Sequence, residues 1–130
     1  MGCHGEYNID RKKLWAILAV KPTKRRHSMK DVHDAFRKFK KEFPAIYRAH
    51  EALGRQIHEK SGPLSEKTRW LMKVAISGAS NHRIALETHI GKAREAGATD
   101  EEILHTLLLI IQTTGFPTFM EAYSVFIETR

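Results

Sequence analysis

The chain has one cysteine, Cys3, in 130 residues. A disulfide within the chain is therefore excluded. So are a mechanism that cycles two thiols of one chain and a zinc site built from four cysteines. Long apolar runs are also missing. The run Leu14-Trp-Ala-Ile-Leu-Ala-Val20 has seven residues, far too few to span a bilayer. It follows Arg11-Lys12-Lys13, as the core of a signal peptide would. Lys21-Pro22, however, stand where a small-residue cleavage site belongs. We read the run as a short amphipathic or buried helix and expect a cytoplasmic protein. Alternating β-branched runs bounded by turn residues are absent too, which argues against strands.

What is present describes one ordinary domain. The composition is 42% hydrophobic and 28% charged, in the range of globular chains and outside that of disordered ones. The formal charge of +7 is unevenly placed. Residues 1–42 hold 12 Lys+Arg and 5 Asp+Glu, whereas residues 43–130 hold 10 of each. We therefore divide the chain into a basic N-terminal helical extension, 1–42, and a neutral domain, 43–130. A chain-wide basic character would suggest nucleic acid as a partner; the split weakens that reading.

Almost every segment has helical periodicity. Residues 9–20 form a first candidate, and Lys24-Arg25-Arg26 a connector. Ser28 stands three residues before Asp31, a helix-start pattern, and Val32, Phe36 and Phe39 give the next helix its apolar stripe. Pro44 suits a first helical turn, where its missing N–H costs nothing. Ile46, Ala49, Leu53 and Ile57 follow at three- and four-residue spacing, and Ser61-Gly62-Pro63 ends that helix. Ser65 is the expected N-cap of a helix to about Gly78, with Leu71, Val74 and Ala75 facing inward. A helix over 80–97 stops at Gly97, a natural left-handed position. Thr99 and Glu102 have the spacing of a capping box. The segment 103–111 is apolar nearly all round and should be buried on every side, in the core or a subunit interface. Gly115-Phe116-Pro117 breaks it, and a last helix carries Phe119, Ala122, Tyr123 and Phe126. The expected fold is all-α, a bundle of roughly six or seven short helices.

The helix over 80–97 is the candidate for chemistry. At about 100° per residue, His82, Ala85, Leu86, His89, Ala93 and Ala96 fall on one stripe, so both histidines should face inward. A buried imidazole needs a hydrogen-bond partner and can titrate near neutrality as a general acid or base. A shared metal is not expected. His82 and His89 stand about 10 Å apart along the axis, His50 and His58 are eight residues apart, and no HxxxH or HExxH pattern occurs.

The stretch His89-Ile-Gly-Lys-Ala-Arg-Glu-Ala-Gly-Ala-Thr-Asp-Glu-Glu-Ile103, followed by Thr113-Thr-Gly-Phe-Pro117 and Glu121-Ala122, resembles the carboxymuconolactone decarboxylase family, which includes the AhpD-like proteins. Leu64-Ser-Glu-Lys-Thr-Arg69 resembles the lead-in to the family's preceding helix. The likeness covers about residues 45–128. It implies an AhpD-like all-α fold that assembles as a homo-oligomer, a trimer or hexamer, which would cover the apolar 103–111 segment. The family's redox branch resembles C-x-x-C-x-x-x-H with a glutamate twelve residues before the first cysteine. On this chain the histidine is His89. The cysteine positions fall on His82 and Ala85, and the glutamate position on Trp70. Peroxide reduction needs a thiolate and a resolving thiol, and Cys3 lies outside the likeness, so dithiol chemistry is not expected.

The decarboxylase branch needs no cysteine. It implies a small carboxylated substrate, with His89 as general acid/base and His82 as orienter or second proton carrier. A dianionic lactone calls for Arg or Lys in the pocket; Arg69 and Arg83 are the candidates. No cofactor, metal or membrane is expected. The alternative is a non-catalytic oligomeric scaffold with no accessible pocket beside His89, its basic segment serving an acidic partner. Nucleic-acid binding through residues 11–41 is disfavoured, because Phe36, Phe39 and Phe43 have core spacing and no recognition motif occurs.

Overall fold

The computed structural model describes residues 29–130. The expected helix over 9–20, its basic connector, Ser28 and Cys3 lie outside them. Every element is helical. Helix α1 spans Met29–Glu42 and α2 spans Pro44–Arg55, continuing into a π-helical turn, Gln56–Lys60. Helices α3 (Glu66–Ala79), α4 (Arg83–Glu95), α5 (Asp100–Leu108), α6 (Ile111–Thr114) and α7 (Phe116–Glu128) follow. Among the described residues there is no strand, and no helix is long and apolar enough to cross a membrane.

Local chemistry sets the boundaries. Pro44 occupies the first turn of α2. Ser65 caps α3 by accepting the Thr68 backbone N–H. Thr99 and Glu102 complete a reciprocal capping box at α5, and Lys67 reaches from α3 to the same Glu102 carboxylate at 2.9 Å. Helix α4 ends in a Schellman turn: Gly97, at φ +88°, donates to the Arg94 carbonyl, and the Ala98 N–H reaches back to Ala93.

The same turn ends α3, at a residue the sequence pattern does not mark. Asn81 takes φ 54°; its N–H bonds the Gly78 carbonyl, and the His82 N–H bonds that of Ser77. Asparagine, like glycine, tolerates this conformation. The helix expected over 80–97 therefore begins at Arg83. His82 becomes its N-cap, exposed and without a side-chain capping bond. The expectation that His82 shares the inward stripe with His89 is corrected on this ground.

The core lies among α3, α4, α5 and α7, which pack against one another. Val74, Ile90, Ala93, Ile103 and Leu107 are fully buried there, with Leu86, Phe119, Ala122, Val125 and Phe126 around them. Gly78 admits close packing of α3: a Cβ there would lie 3.2 Å from a Leu107 methyl carbon. The 103–111 segment is not buried all round. Ile103, Leu107 and Ile110 face the core, but Leu108 and Leu109 are exposed.

Helices α1 and α2 pack chiefly on each other. Phe36 meets Tyr47 edge-on, and Phe39 lies against Phe43. Tyr47 is buried and Phe39 half-buried, yet Phe36 and Phe43 are each 48% exposed, so the expectation of core positions is corrected for Phe36 and Phe43. Ile46, Leu53 and Ile57, the expected inward stripe of α2, are exposed as well. The reason is geometric: a two-helix hairpin buries one seam, and no described neighbour covers its outer faces.

Candidate active site

The site is built on one face of α3. Arg69, Lys73 and Ser77 are spaced by four and so line up along it. Trp70 stands beside them, and His89 approaches from α4. Ser77 is buried, and its hydroxyl donates to the Lys73 carbonyl. His89 Nδ1 lies 2.8 Å from the Ser77 hydroxyl and 3.2 Å from the Lys73 carbonyl. A carbonyl only accepts, and the Ser77 proton is already committed to it. Nδ1 of His89 must therefore be the donor. In the neutral ring this leaves the lone pair on Nε2, which becomes the atom that can take up and deliver a proton.

Burial holds the His89 pKa below its ordinary 6.5. The bond to the Lys73 carbonyl opposes that shift, while the positive charges of Lys73 and His58 add to it. Burial likewise lowers the Lys73 ammonium from its usual 10.5. Lys73 Nζ sits over the Trp70 ring at 5.2 Å, a cation–π contact. Trp70 stands between two imidazoles, its ring 5.8 Å from that of His89 and 4.8 Å from that of His58. The position where a redox relay would place a glutamate thus holds an indole in contact with the retained histidine.

Outside this row, α3 borders a hollow of about 270 Å3. Its walls are Ile57, His58, Leu64, Arg69, Met72 and Lys73, with Ser61 and Gly62 at the chain turn. Lys73 is common to the hollow and the His89 environment. A second cavity of about 230 Å3 touches Ser77 as well, lined by Asn81, Arg83, Leu86 and Glu121 among others.

The structure separates the two histidines expected to act together. His89 has Ser77 and Lys73 as its partners, and His82 is exposed at the end of α4. Of the two candidate cations, Arg69 lines the hollow beside Lys73, whereas Arg83 is engaged by Glu128 and Ser124 on α7. Lys73, Ser77 and His58 are not marked by sequence motifs. The four-residue spacing of Arg69, Lys73 and Ser77 was the available signal for the first two. Nothing in the sequence places His58 against Trp70. Among the described residues no group of three or more His, Cys, Asp or Glu could hold a metal ion.

The model of the carboxymuconolactone decarboxylase family matches residues 44–128. The apo crystal structure of a carboxymuconolactone decarboxylase family protein from Legionella pneumophila is similar, with a TM-score of 0.68 and 31% sequence identity. The likeness covers 78% of this chain and 92% of that one. No curated protein matches the chain.

Proposed function

The chain belongs to the carboxymuconolactone decarboxylase family, and from that premise we propose that it is a small-molecule decarboxylase acting on a carboxylated lactone or β-keto acid, with His89 as its proton carrier. The observation that carries this reading is the contact of His89 Nδ1 with the Ser77 hydroxyl and the Lys73 carbonyl; with Nδ1 as donor, Nε2 is the nitrogen we assign to the proton transfer. In the proposed step the carbon–carboxylate bond breaks and carbon dioxide leaves. The electron pair passes to the carbon and is delocalised onto the adjacent carbonyl. Protonated Nε2 then delivers its proton to that carbon, so one proton is consumed per turnover. The Lys73 ammonium stabilises the negative charge as it develops. The lowered pKa of His89 makes its imidazolium a stronger acid, and the bound carboxylate favours that imidazolium in the complex. Ser77 orients the ring, the role expected of His82. Dithiol chemistry has no part in this proposal.

The scaffold alternative expects no accessible cavity beside His89; against it stands a hollow bordered by Lys73, the residue whose carbonyl contacts His89, although His89 is not itself among the hollow's walls. We further propose that the chain acts as a homo-oligomer, a trimer or hexamer. Its support is the exposure of large apolar side chains such as Leu109, Phe116 and Ile127.

The test is carbon dioxide release from a panel of carboxylated lactones and β-keto acids. The purified protein should turn over at least one of them, and His89→Gln should slow it by about 10²–10⁴-fold. Equal rates for the two proteins would overturn the assignment.

A further inference from the structure

Lys73 is a lysine without a counter-ion. Lys38, Lys67 and Lys92 hold carboxylates at 3.7, 2.9 and 2.8 Å. The Lys73 ammonium has no ion pair and no hydrogen bond among the described residues; it lies over the Trp70 ring, 5.2 Å from the centroid. That contact positions the amine but supplies no counter-ion. The side chain is half-buried on α3, yet its nitrogen is open. Among the described residues the buried side-chain atoms without a partner are His58 Nε2, Arg69 Nε and Arg94 Nη2, and Lys73 Nζ is not one of them.

The surroundings favour the neutral amine. Lys73 borders the 270 Å3 hollow, and no carboxylate does. Glu59 and Glu66 line the adjoining hollow, which Lys73 does not border. Arg69 adds a like charge to the wall that Lys73 shares, and Ile57, Leu64 and Met72 make the remainder largely apolar. A lysine that is desolvated and stands beside another cation gives up its proton more readily and becomes a nucleophile. The lowering of its pKa by burial acts in the same direction.

We propose that Lys73 captures small uncharged aldehydes and ketones with an apolar body, which it binds covalently as an imine. Neutral Nζ adds to the carbonyl carbon, forming the nitrogen–carbon bond. The carbon–oxygen bond then breaks, and the oxygen leaves as water with both amine protons. Nothing is oxidised or reduced.

The walls select this ligand. Its body covers the apolar surface of Ile57, Leu64 and Met72, which water would otherwise wet. The volume, just below the roughly 300–1,000 Å3 of sites for drug-sized ligands, admits a single ring. A cationic ligand would be repelled by Arg69. A carboxylate would supply the missing counter-ion and hold Lys73 as the ammonium, so acid ligands and imine formation exclude one another. The two protonation states thus serve two chemistries: the ammonium stabilises charge in the proposed decarboxylation, and the amine captures carbonyls. The second stands even if His89 moves no proton.

The test is reductive trapping on the full-length protein near neutral pH, with benzaldehyde and cyanoborohydride. The reductant converts an imine to a secondary amine, and peptide mass spectrometry locates the benzyl group. Lys73 should gain it at least about tenfold faster than Lys38, Lys67 or Lys92, at a rate that saturates in benzaldehyde. Benzyl alcohol, similar in size but lacking the carbonyl, should slow labelling of Lys73 and leave Lys67 unaffected. Ile57→Glu changes a residue that is 56% exposed and puts a carboxylate on the hollow's wall. In the folded variant, checked by circular dichroism, Lys73 labelling should slow by about tenfold or more. Labelling of Lys73 no faster than of the paired lysines would overturn the proposal. So would a rate untouched by benzyl alcohol or by Ile57→Glu. Capture at Lys73 without decarboxylation of any substrate would leave this inference standing and remove the enzymatic reading. Decarboxylation without preferred labelling of Lys73 would do the reverse.

Discussion

Ser77 fixes the protonation pattern of His89. Its hydroxyl lies 2.8 Å from Nδ1 while donating to the Lys73 carbonyl, so one buried serine of α3 offers Nδ1 of an α4 histidine an acceptor and leaves Nε2 without the proton in the neutral ring. Trp70, on the same helix as Ser77, packs on the His89 ring with centroids 5.8 Å apart.

Ser77→Ala removes the orienting acceptor but leaves the helix intact. We expect a stability loss of about 1 kcal/mol by urea denaturation. Turnover of any identified substrate should fall by about ten- to a hundredfold, with KM little changed. A variant with unchanged kcat would show that Ser77 does not orient the ring.

The pH profile follows from the direction of the His89 shift. If the imidazolium delivers the proton, kcat/KM falls as pH rises through the free protein's His89 pKa, which lies below 6.5. Lys73 contributes to that lowering. Lys73→Met should therefore reduce the overall rate and also move the midpoint upward, toward 6.5. A midpoint that stays put, or moves down, would contradict the assigned coupling.

Folding stability should also depend on pH. His58 and His89 both have folded pKa values lowered from 6.5. Below that value the unfolded chain takes up protons that the folded chain refuses. The stability from these neutral rings is thus complete above about pH 6.5 and is lost as pH falls toward their folded values. Denaturation midpoints measured between about pH 5 and 7.5 should fall on the acid side, less steeply in the double variant His58→Phe, His89→Gln. Identical slopes would exclude these two groups as the source.

Leu107 and Leu109 stand two residues apart with opposite surroundings. Leu107 is fully buried and Leu109 is 62% exposed. Leu107→Ala should cost about 2–5 kcal/mol. Leu109→Glu should change the fold little but reduce the mass seen by sedimentation equilibrium from that of a trimer or hexamer. A wild-type chain that sediments as a monomer would refute the assembly, and a Leu109 variant with unaltered mass would place the interface elsewhere.

Much of the fold was legible because helix boundaries are local. Pro44, Ser65, the Thr99–Glu102 pair, Gly97 and Gly115 act through their own backbone neighbours, and each stands where its chemistry predicts. Asn81 was missed because serine and asparagine before a helical pattern suggest a start, whereas its left-handed turn is an ending. That error alone moved His82 from the inward stripe to the exposed cap.

The site was legible only in part. His89 stood out as a histidine on a small-residue face, and its inward position holds. Its partners did not stand out, because Ser77, Lys73 and Trp70 belong to another helix, and only the packing of α4 on α3 brings them beside it. The lone cysteine, by contrast, was decisive from the start: a chain with one thiol cannot form a disulfide within itself, whatever its fold. Composition could thus exclude a chemistry, and local patterns could place the helices. Which imidazole is buried, which nitrogen it offers and which cations line the hollow depended on contacts between residues far apart in sequence, and only the tertiary structure brings those together.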